Sequence, residues 1–479
     1  MRLRENKLLW IGLLFLHVEV FGVEVGVARI DITPTHPVVL AGFGSRTTEY
    51  EGVDTRIWAR ALALGAKSPV LLIAVDNCGI PGDQVTVVTR RLAESADIDA
   101  RRLVICSTHT HNAPALPGQA AVVWAGRLTE KQAANRSRYA AWLTGRLVEV
   151  GLAALKARQP ASLAWGMGDV TFGGNRRLLE DGQWKGFGFQ VDGPVDRSLP
   201  LLVAKDTRGR PFALWTSYAC HCTTLGSRNR VAGDWAGFSN DTIEANIPGV
   251  IALTTIGCGA DVGPQPTGAA KHAQAHGKAI AAEVERVVKA GLKPLDGTPG
   301  VETRELRLPF DEIPPRQAFE AQAGKQDFYG EHARRMLATL DETGSLPTHL
   351  DYPVTTWRFG DDLAIVFLAG EVCVDYSVRL KRELDWRRLW INAWSDDIPS
   401  YIPSQRVLRE GGYEADFSQI YYDLPTRYAP EIEDIIVHAV TGILADGFRS
   451  PPELGPSPFH IHPALGGKKA SRDPGKPKK

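Results

Sequence analysis

The chain reads Leu103-Val104-Ile105-Cys106-Ser107-Thr108-His109-Thr110-His111-Asn112-Ala113-Pro114 near the end of its first quarter. The apolar run at its start predicts a buried strand, so the two histidines follow at a strand end, where α/β folds place their chemistry. Residues two apart in an extended segment point to the same side, which predicts that His109 and His111 project into one site. Neutral imidazole is the commonest protein ligand for zinc, and a second imidazole can transfer protons. From this segment alone, a pair of hydrogen-bonded core or surface histidines is the open alternative.

Apolar runs of strand length alternate with amphipathic helical patterns along most of the chain. Predicted strands cover residues 70–75, 103–106, 161–170, 201–205, 213–218, 250–256, 363–368 and 389–393. Predicted helices cover residues 84–95, 130–155, 237–246, 269–290 and 372–384. This alternation is typical of α/β architecture with a mixed, largely buried sheet and flanking helices. We therefore expect a single large α/β domain.

The composition is that of a globular protein with a large core. The 479 residues are 44% hydrophobic and 23% charged, and their formal net charge is zero. A balanced charge gives no electrostatic reason to expect nucleic acid as a partner. The six cysteines include no C-x-x-C pair and are too few for a disulfide scaffold. Most are expected to be small buried side chains, and one or two disulfides are the alternative.

The two ends of the chain differ in character from the middle. Arg2, Arg4 and Lys7 precede the apolar stretch Leu8 to Leu16, and Gly22 follows, which is the pattern of a signal peptide over residues 1–22. An uncleaved anchor is the alternative, although the apolar run is too short to span a bilayer well. The sequence thus predicts export to a periplasm or to the medium. The last residues, 449–479, are rich in Pro, Gly and Lys and predict a disordered tail.

Five polar segments lie at predicted strand ends or in glycine-rich loops. They are residues 108–111, 175–177, 218–226, 257–264 and 369–371, the last followed by Tyr401 and Tyr413. Arg176 could hold a carbonyl or carboxylate oxygen, with an ordinary surface arginine as the alternative. The loop 257–264 lets backbone N–H groups approach a ligand closely. Asp261 within that loop is either a functional group or a turn-capping carboxylate.

In order and spacing, these segments resemble the neutral, alkaline-type (non-lysosomal) ceramidase family. The shared pattern is T-H-T-H, N-R, A-C-H-x-T-x-L-G, G-x-D-V, G-E and paired tyrosines, over roughly residues 23 to 448. The opening segment Val25 to Pro34 also looks like the start of that family. The combination is far more specific than any one element. The resemblance implies a single catalytic domain over residues 23–448.

The resemblance also implies a zinc site. Carried over by motif, its ligands are His109, His221, Glu371 and Tyr401. Two nitrogen and two oxygen donors suit zinc as a borderline Lewis acid, with a water molecule completing the site. From the residues alone, only His109, His221 and, less directly, Glu371 could be proposed as ligands. Tyr401 enters through the resemblance only.

The implied reaction is hydrolysis of an amide bond by metal-activated water. The substrate would be ceramide (N-acylsphingosine) or a related N-acyl lipid, with transient contact with a membrane surface and no obligate protein partner. His111, Arg176 and Tyr413 are the candidate donors to the oxyanion of the tetrahedral intermediate, beside the zinc itself. Asp261 stands where the family has an essential aspartate, and it could orient a histidine or the attacking water.

The sequence departs from the family in two places. The family reads G-D-V-S-P and assigns a catalytic role to its serine, whereas this chain has Gly263 at that position. A serine nucleophile is thereby excluded at residue 263, and a mechanism based on activated water is not. The C-terminal immunoglobulin-like domain of the larger ceramidases is also expected to be missing. Two alternatives therefore stay open: a degenerate member that binds without turnover, and a hydrolase of a soluble amide or ester.

Overall fold

Residues 22–96 and 98–461 are described by a computed structural model. The predicted signal peptide, apart from Gly22, lies outside the described residues, and so does the end of the predicted tail from residue 462 onward. Among the described residues, no helix combines the length and the apolar character needed to cross a bilayer.

Twenty strands are found in the described residues. They are β1 (Val23–Asp31), β2 (Trp58–Leu64), β3 (Val70–Val75), β4 (Leu103–Ser107), β5 (Gln159–Asp169), β6 (Gly173–Glu180), β7 (Gln183–Gln190), β8 (Val195–Asp196), β9 (Ser198–Lys205), β10 (Pro211–Tyr218), β11 (Ile251–Ile256), β12 (Val262–Pro264), β13 (Lys293–Leu295), β14 (Gly300–Pro309), β15 (His349–Phe359), β16 (Leu363–Leu368), β17 (Glu371–Val372), β18 (Leu389–Asn392), β19 (Tyr401–Ile402) and β20 (His460–Ile461).

Ten α-helices accompany them in the same residues. They are α1 (Gly82–Ala96), α2 (Ala121–Trp124), α3 (Glu130–Lys156), α4 (Asp234–Asn246), α5 (Ala270–Ala290), α6 (Arg316–Glu320), α7 (Phe328–Thr343), α8 (Val374–Glu383), α9 (Gln405–Glu410) and α10 (Ile432–Ile443). The longest, α3, begins with a capping box, in which Thr129 and Gln132 satisfy each other's backbone N–H groups. A π-helical turn covers Tyr413–Phe417.

The largest sheet has nine strands in the order β11-β10-β9-β5-β1-β2-β3-β4, with β13 paired to β5. The pairs β3–β4 and β10–β11 are parallel, and the other neighbours are antiparallel. A second sheet has the order β14-β15-β16-β18, and a third has the order β12-β6-β7. Two short pairs, β17–β19 and β20–β8, complete the strands.

The two large sheets pack face to face through aromatic side chains. Trp215 of β10 packs against Trp390 of β18 with 4.1 Å between ring centroids and the rings tilted by 37°, and Phe367 of β16 lies beside them. On the outer face of the nine-stranded sheet, α1 and α3 cover one half, and α4 and α5 cover the other. Helices α8 and α10 cover the outer face of the four-stranded sheet. The core therefore lies in a helix–sheet–sheet–helix sandwich.

The predicted α/β class with mixed, buried sheets is confirmed. The predicted strands at 70–75 and 363–368 coincide with β3 and β16. Helix α8 begins at Val374 rather than at residue 372, because Val372 belongs to β17 and Cys373 is the N-cap of the helix. Apolar runs do not reveal β14, β15 or the β6–β7 hairpin. β7 and most of β14 alternate between half-buried and exposed positions, whereas polar residues or glycine interrupt the apolar positions of β6 and β15.

The first part of the predicted tail is folded onto the domain. β20 pairs antiparallel with β8, and Phe459 packs edge-on against Trp386 with 5.9 Å between ring centroids. Ser457 is buried. Residues 449–461 are therefore ordered, contrary to the expectation of a disordered tail from residue 449. A free strand edge and an aromatic contact are available to this segment.

Candidate metal centre

His109 follows β4 and is fully buried beside Trp394, with 4.7 Å between ring centroids. Its backbone is in the left-handed region (φ 57°), so the segment is not extended as the sequence predicted. The Nδ1 proton is donated to the carbonyl oxygen of Cys78 at 2.5 Å, which leaves Nε2 facing the interior. The left-handed residue turns the imidazole inward, and this turn, rather than alternation along a strand, brings it close to His111.

His221 is placed in the same way at the end of β10. Its Nδ1 lies 2.8 Å from the carbonyl oxygen of Gly259 and donates to it, so Nε2 is again the free ring nitrogen. The indole N–H of Trp235 donates to the His221 carbonyl at 2.9 Å and fixes the backbone. Both predicted histidine ligands thus present the same ring atom to the same space.

Glu371 completes the group from the short strand β17. Its Oε2 lies 3.3 Å from His109 Nε2 and 3.3 Å from His221 Nε2. Within the described residues, Glu371 Oε2 and His221 Nε2 have no hydrogen-bond partner, although both are buried. Ligand atoms bound about 2.0–2.1 Å from a tetrahedral zinc lie about 3.3 Å from one another. The three side chains are therefore spaced and oriented to hold a metal ion.

The charges at the site agree with that use. Burial, together with the charge of Arg176, lowers the pKa of His221 to about 3, so this imidazole is neutral at pH 7. The two histidines hold the pKa of Glu371 well below its usual range against the effect of burial. Burial also acts against protonation of His109, but Cys78 and Glu371 together raise its pKa to about 10. Metal binding at His109 Nε2 would therefore release a proton.

Tyr401 lies next to Glu371 because β17 and β19 are parallel and pair these two residues in register. The phenol ring faces the same cavity, and Arg176 donates to its hydroxyl oxygen at 3.2 Å. The Nε of Arg176 donates to Glu414 at 3.0 Å, which fixes the guanidinium. Burial and the charge of Glu371 raise the pKa of Tyr401 well above its usual value. The structure brings the predicted fourth ligand and the predicted arginine together.

His111 and Tyr413 face the same space. His111 Nε2 lies 3.1 Å from His109 Nε2, and burial together with the neighbouring histidines lowers the pKa of His111 well below its usual value. A Cβ added at Gly42 would lie 2.5 Å from His111 Nδ1, so the close approach at this position requires glycine. Tyr413 begins the π-helical turn, and its ring centroid is 5.4 Å from that of Tyr401.

Asp261 is the one predicted site residue that does not meet the others. Its carboxylate is fully buried and accepts hydrogen bonds from the Val374 backbone N–H at 2.8 Å, from Asn175 at 3.0 Å and from Arg406 at 2.8 Å. It thus caps the first turn of α8 and contacts neither the histidines nor the cavity. These contacts are those of a capping carboxylate, which is the alternative that the sequence left open. Asp261 influences the site only indirectly, because its backbone carbonyl accepts from the N–H of Arg176 on β6.

A cavity of about 470 Å³ opens beside the three ligand atoms. Its walls are mostly apolar and aromatic and include Phe43, Val123, Trp124, Phe187, Phe328 and Tyr421. Thr223 and Thr267 add polar groups. All the predicted site residues except Asp261 and the buried His221 line this cavity.

Tyr422, which the sequence did not single out, donates to Glu371 Oε1 at 2.6 Å and lines the cavity. This bond leaves Oε2 as the oxygen that faces the histidines. A tyrosine pair, Tyr421 and Tyr422, is visible in the sequence shortly after Tyr413. Nothing in that pair indicates which hydroxyl reaches the carboxylate.

Gly263 lies in β12 opposite Gly174 of β6. A Cβ built on Gly263 would have Arg176 Cβ as its nearest neighbour, at 3.9 Å. The position is therefore close to the cavity arginine and has room for a small side chain.

The chain matches the model of a known protein family over more than half of its length. The profile described as "Neutral/alkaline non-lysosomal ceramidase, N-terminal" matches residues 23–274. Neutral ceramidase B of Dictyostelium discoideum is 23% identical over 235 residues, which are 47% of this chain and 32% of that protein. The match thus spans about a third of the length of this curated relative.

Two solved structures share the fold. The neutral ceramidase of Pseudomonas aeruginosa superimposes with a TM-score of 0.66 at 17% sequence identity, covering 91% of this chain and 77% of that chain. A structure titled as a ceramidase complexed with C2 gives the same values.

Proposed function

Because the chain belongs to the neutral/alkaline non-lysosomal ceramidase family, we propose that it is a zinc-dependent hydrolase of the amide bond in ceramide or a related N-acyl lipid. The observation that carries the proposal is the convergence of His109 Nε2, His221 Nε2 and Glu371 Oε2 beside a largely apolar cavity. A metal centre that faces an apolar cavity suits a substrate with one polar amide and long hydrocarbon chains.

Zinc is the ion that this donor set favours. With Tyr401 as the fourth ligand, the site would offer two imidazole nitrogens and two oxygens, which suit a borderline Lewis acid. When bound, zinc polarises a carbonyl group and lowers the pKa of a water molecule enough for it to attack at neutral pH. The Nδ1 bonds of His109 and His221 and the Tyr422 bond to Glu371 would hold the ligands in orientation.

The remaining side chains would act on the substrate. Arg176 is kept protonated by Tyr401 and Glu414, which raise its pKa despite burial. Together with the Tyr413 hydroxyl, it would donate to the carbonyl oxygen as negative charge develops there. His111, uncharged and in the cavity wall, would accept a proton from the attacking water and return it to the leaving nitrogen.

The cavity walls support a lipid as substrate. Six of the lining side chains named above are apolar or aromatic, and a volume of about 470 Å³ is within the range of small-molecule sites. The signal peptide predicted over residues 1–22 supports action outside the cytoplasm, where membrane lipids or secreted lipids would be reached.

A second function, lipid binding without turnover, is favoured by one observation, the absence of a side chain at Gly263. The same cavity and metal centre would then hold an N-acyl lipid without cleaving it. The third candidate, hydrolysis of a soluble amide or ester, would be recognised by turnover of such a soluble substrate without turnover of an N-acyl lipid.

The test compares zinc content and turnover in three purified proteins lacking residues 1–22: the wild type, His221→Ala and His438→Ala. His438 is exposed on α10 and serves as the matched control. We expect about one zinc per chain in the wild type and the control, measured by elemental mass spectrometry, and none in His221→Ala. Hydrolysis of a fluorescent short-chain N-acylsphingosine should disappear with the zinc. Wild type that stays free of zinc after reconstitution would contradict the proposal, and zinc-loaded protein that binds the lipid without releasing fatty acid would favour the binding protein.

A further inference from the structure

Exposed large apolar side chains cluster on one hairpin. Phe187, Phe189 and Val191 are 53%, 48% and 72% exposed and follow one another along one face of β7 and its end. We call these three residues the apolar ridge. Leu179 on β6 and Phe417 nearby are also more than a third exposed. Of the exposed large apolar side chains in the described residues, more than half thus lie in this one region.

The ridge is built by the local fold. β7 is an edge strand of the sheet β12-β6-β7, and alternation turns residues 185, 187 and 189 outward while Trp184 packs inward against Gly412 and Phe417. Gly174 on β6 has no side chain and lets the ring of Phe189 lie directly over the backbone. Trp184 anchors the hairpin, so the outward aromatic residues are held in place above the surface.

The ridge is continuous with the candidate site. Phe187 both belongs to the ridge and lines the cavity, where its ring lies 4.8 Å from that of Tyr413. The guanidinium of Arg176 lies over the same ring at 5.2 Å. If the ridge contacts a lipid surface, a hydrocarbon chain that leaves this surface would therefore lie directly beside the cavity entrance.

The charges of the hairpin select the kind of surface. Glu180 and Asp181 lie at the turn of the hairpin and Asp192 directly follows the ridge, while Lys185, on the same face of β7, is paired with Glu180. This acidic charge opposes docking onto anionic headgroups. It permits insertion of apolar side chains between uncharged or zwitterionic headgroups.

We propose that the apolar ridge is a docking surface for a zwitterionic lipid bilayer, with Phe187 at the point where lipid passes from the bilayer to the cavity. The proposal rests on the proposed function in that a lipid amide is the reason for such contact, but docking itself requires no hydrolysis. Large apolar side chains at this exposure are costly in water, and burial in the headgroup region would relieve that cost.

The test is flotation of the wild-type protein lacking residues 1–22 with phosphatidylcholine vesicles that contain no amide lipid. The double variant Phe189→Ser/Val191→Ser removes the two ridge residues that do not line the cavity, and Val87→Ser, 36% exposed on α1, is the matched control. We expect wild type and control to float with the vesicles and the double variant to bind at least tenfold more weakly. Raising the salt from 0.1 to 0.5 M should leave wild-type binding unchanged.

Several results would overturn docking. These are absence of wild-type flotation, equal binding by the double variant, binding lost at high salt, or a ridge-dependent dimer seen by light scattering without vesicles. A thermal unfolding curve equal to that of wild type would establish that the double variant is folded. Hydrolysis of a short-chain substrate below its micelle concentration is measured in parallel and should be equal in wild type and double variant. If neither protein hydrolyses this substrate, the proposed function is contradicted. The vesicle result tests docking independently of that outcome.

Discussion

Two backbone carbonyls determine which ring nitrogens of the two histidines face Glu371. Cys78 and Gly259 accept the Nδ1 protons of His109 and His221, and both Nε2 atoms are left to meet Glu371 Oε2. The ring orientations of both histidines, and the tautomer of the neutral His221, are thus set before any ion arrives, which reduces the reorganisation that binding requires.

At the level of single residues, Tyr422→Phe should weaken metal binding with little change in fold. The substitution removes the hydroxyl that donates to Glu371 Oε1 and leaves that buried oxygen without a partner. We expect zinc affinity, measured by competition with a chromophoric chelator, to fall about 10- to 100-fold. Tyr421→Phe removes the neighbouring hydroxyl in the same cavity and is the control. Equal affinities in both variants would show that Tyr422 does not orient the carboxylate.

Gly263→Ser asks whether the hydroxyl of the family motif matters in this chain. The nearest atom to an added Cβ is 3.9 Å away, so the melting temperature should stay within about 2 °C of the wild type. Because the proposed nucleophile is water, kcat/KM for the fluorescent substrate should change by less than about threefold. A large gain in turnover, or an acylated serine detected by mass spectrometry, would instead identify the wild type as a degenerate member.

Residue types that commonly bind metals, when they follow a predicted strand, could be identified from the sequence. His109, His111, His221 and Glu371 follow apolar runs, and the structure gathers them at one cavity. Tyr401 came from the family resemblance alone, because its partner is set by strand pairing across a distant loop. Asp261 was expected near the histidines and caps a helix instead, since a carboxylate in a glycine-rich loop serves either purpose equally well in sequence.

At the level of elements, very short strands do much of the positioning. β17 and β19 have two residues each, yet their parallel pairing places Glu371 beside Tyr401. β8 and β20 are equally short and attach the described C-terminal segment to the domain. Apolar runs in the sequence reveal the long central strands and say nothing about pairs of this length.

Asp196 in β8 supplies a test of one such attachment. Its buried carboxylate accepts from Lys381 Nζ at 2.6 Å, and Lys381 and His460 hold the pKa of Asp196 well below its usual range against the effect of burial. Because the folded pKa lies below the unfolded value, the stabilisation is complete above about pH 4 and is lost as pH falls through the folded pKa.

Asp196→Asn should therefore lower stability at pH 7 by about 3–5 kcal/mol, because Lys381 is left buried without a counter-ion. The difference in melting temperature from wild type should shrink as the pH is lowered below about 4, measured by circular dichroism. Asp351→Asn, whose side chain is 81% exposed, is the control and should leave the curve unchanged. Matching profiles for Asp196→Asn and wild type would exclude the ion pair as a stabilising contact.

At the level of the whole molecule, the candidate ligands join separate parts of the fold. His109 and His221 follow strands of the nine-stranded sheet, whereas Glu371 follows β16 of the four-stranded sheet. A bound ion would tie the two sheets together at the edge where the cavity opens. The sequence could predict the strands that precede the ligands, β4, β10 and β16, but it could not predict that the sheets pack through Trp215 and Trp390, because that contact joins residues far apart in the chain.

Removal of the metal should consequently lower the melting temperature of the entire domain. A ligand at 100 times its dissociation constant adds about 2.7 kcal/mol to the free energy of unfolding, so a strong chelator should reduce the melting temperature by several degrees. Added zinc should restore it. In His221→Ala the chelator should have no effect, and a wild type equally insensitive to chelator and to zinc would mean that no ion links the sheets.

The pairing of Glu371 with Tyr401 also bears on how related chains can differ in length. Between these strands lie α8, β18 and the buried Trp394 beside His109, so residues can be gained or lost without disturbing the pairing mainly in the turn between α8 and β18. A deletion inside either two-residue strand would instead exchange the tyrosine or the glutamate for a neighbour on the other face. Insertions and deletions in descendants of this chain should therefore fall in that turn and spare the two short strands.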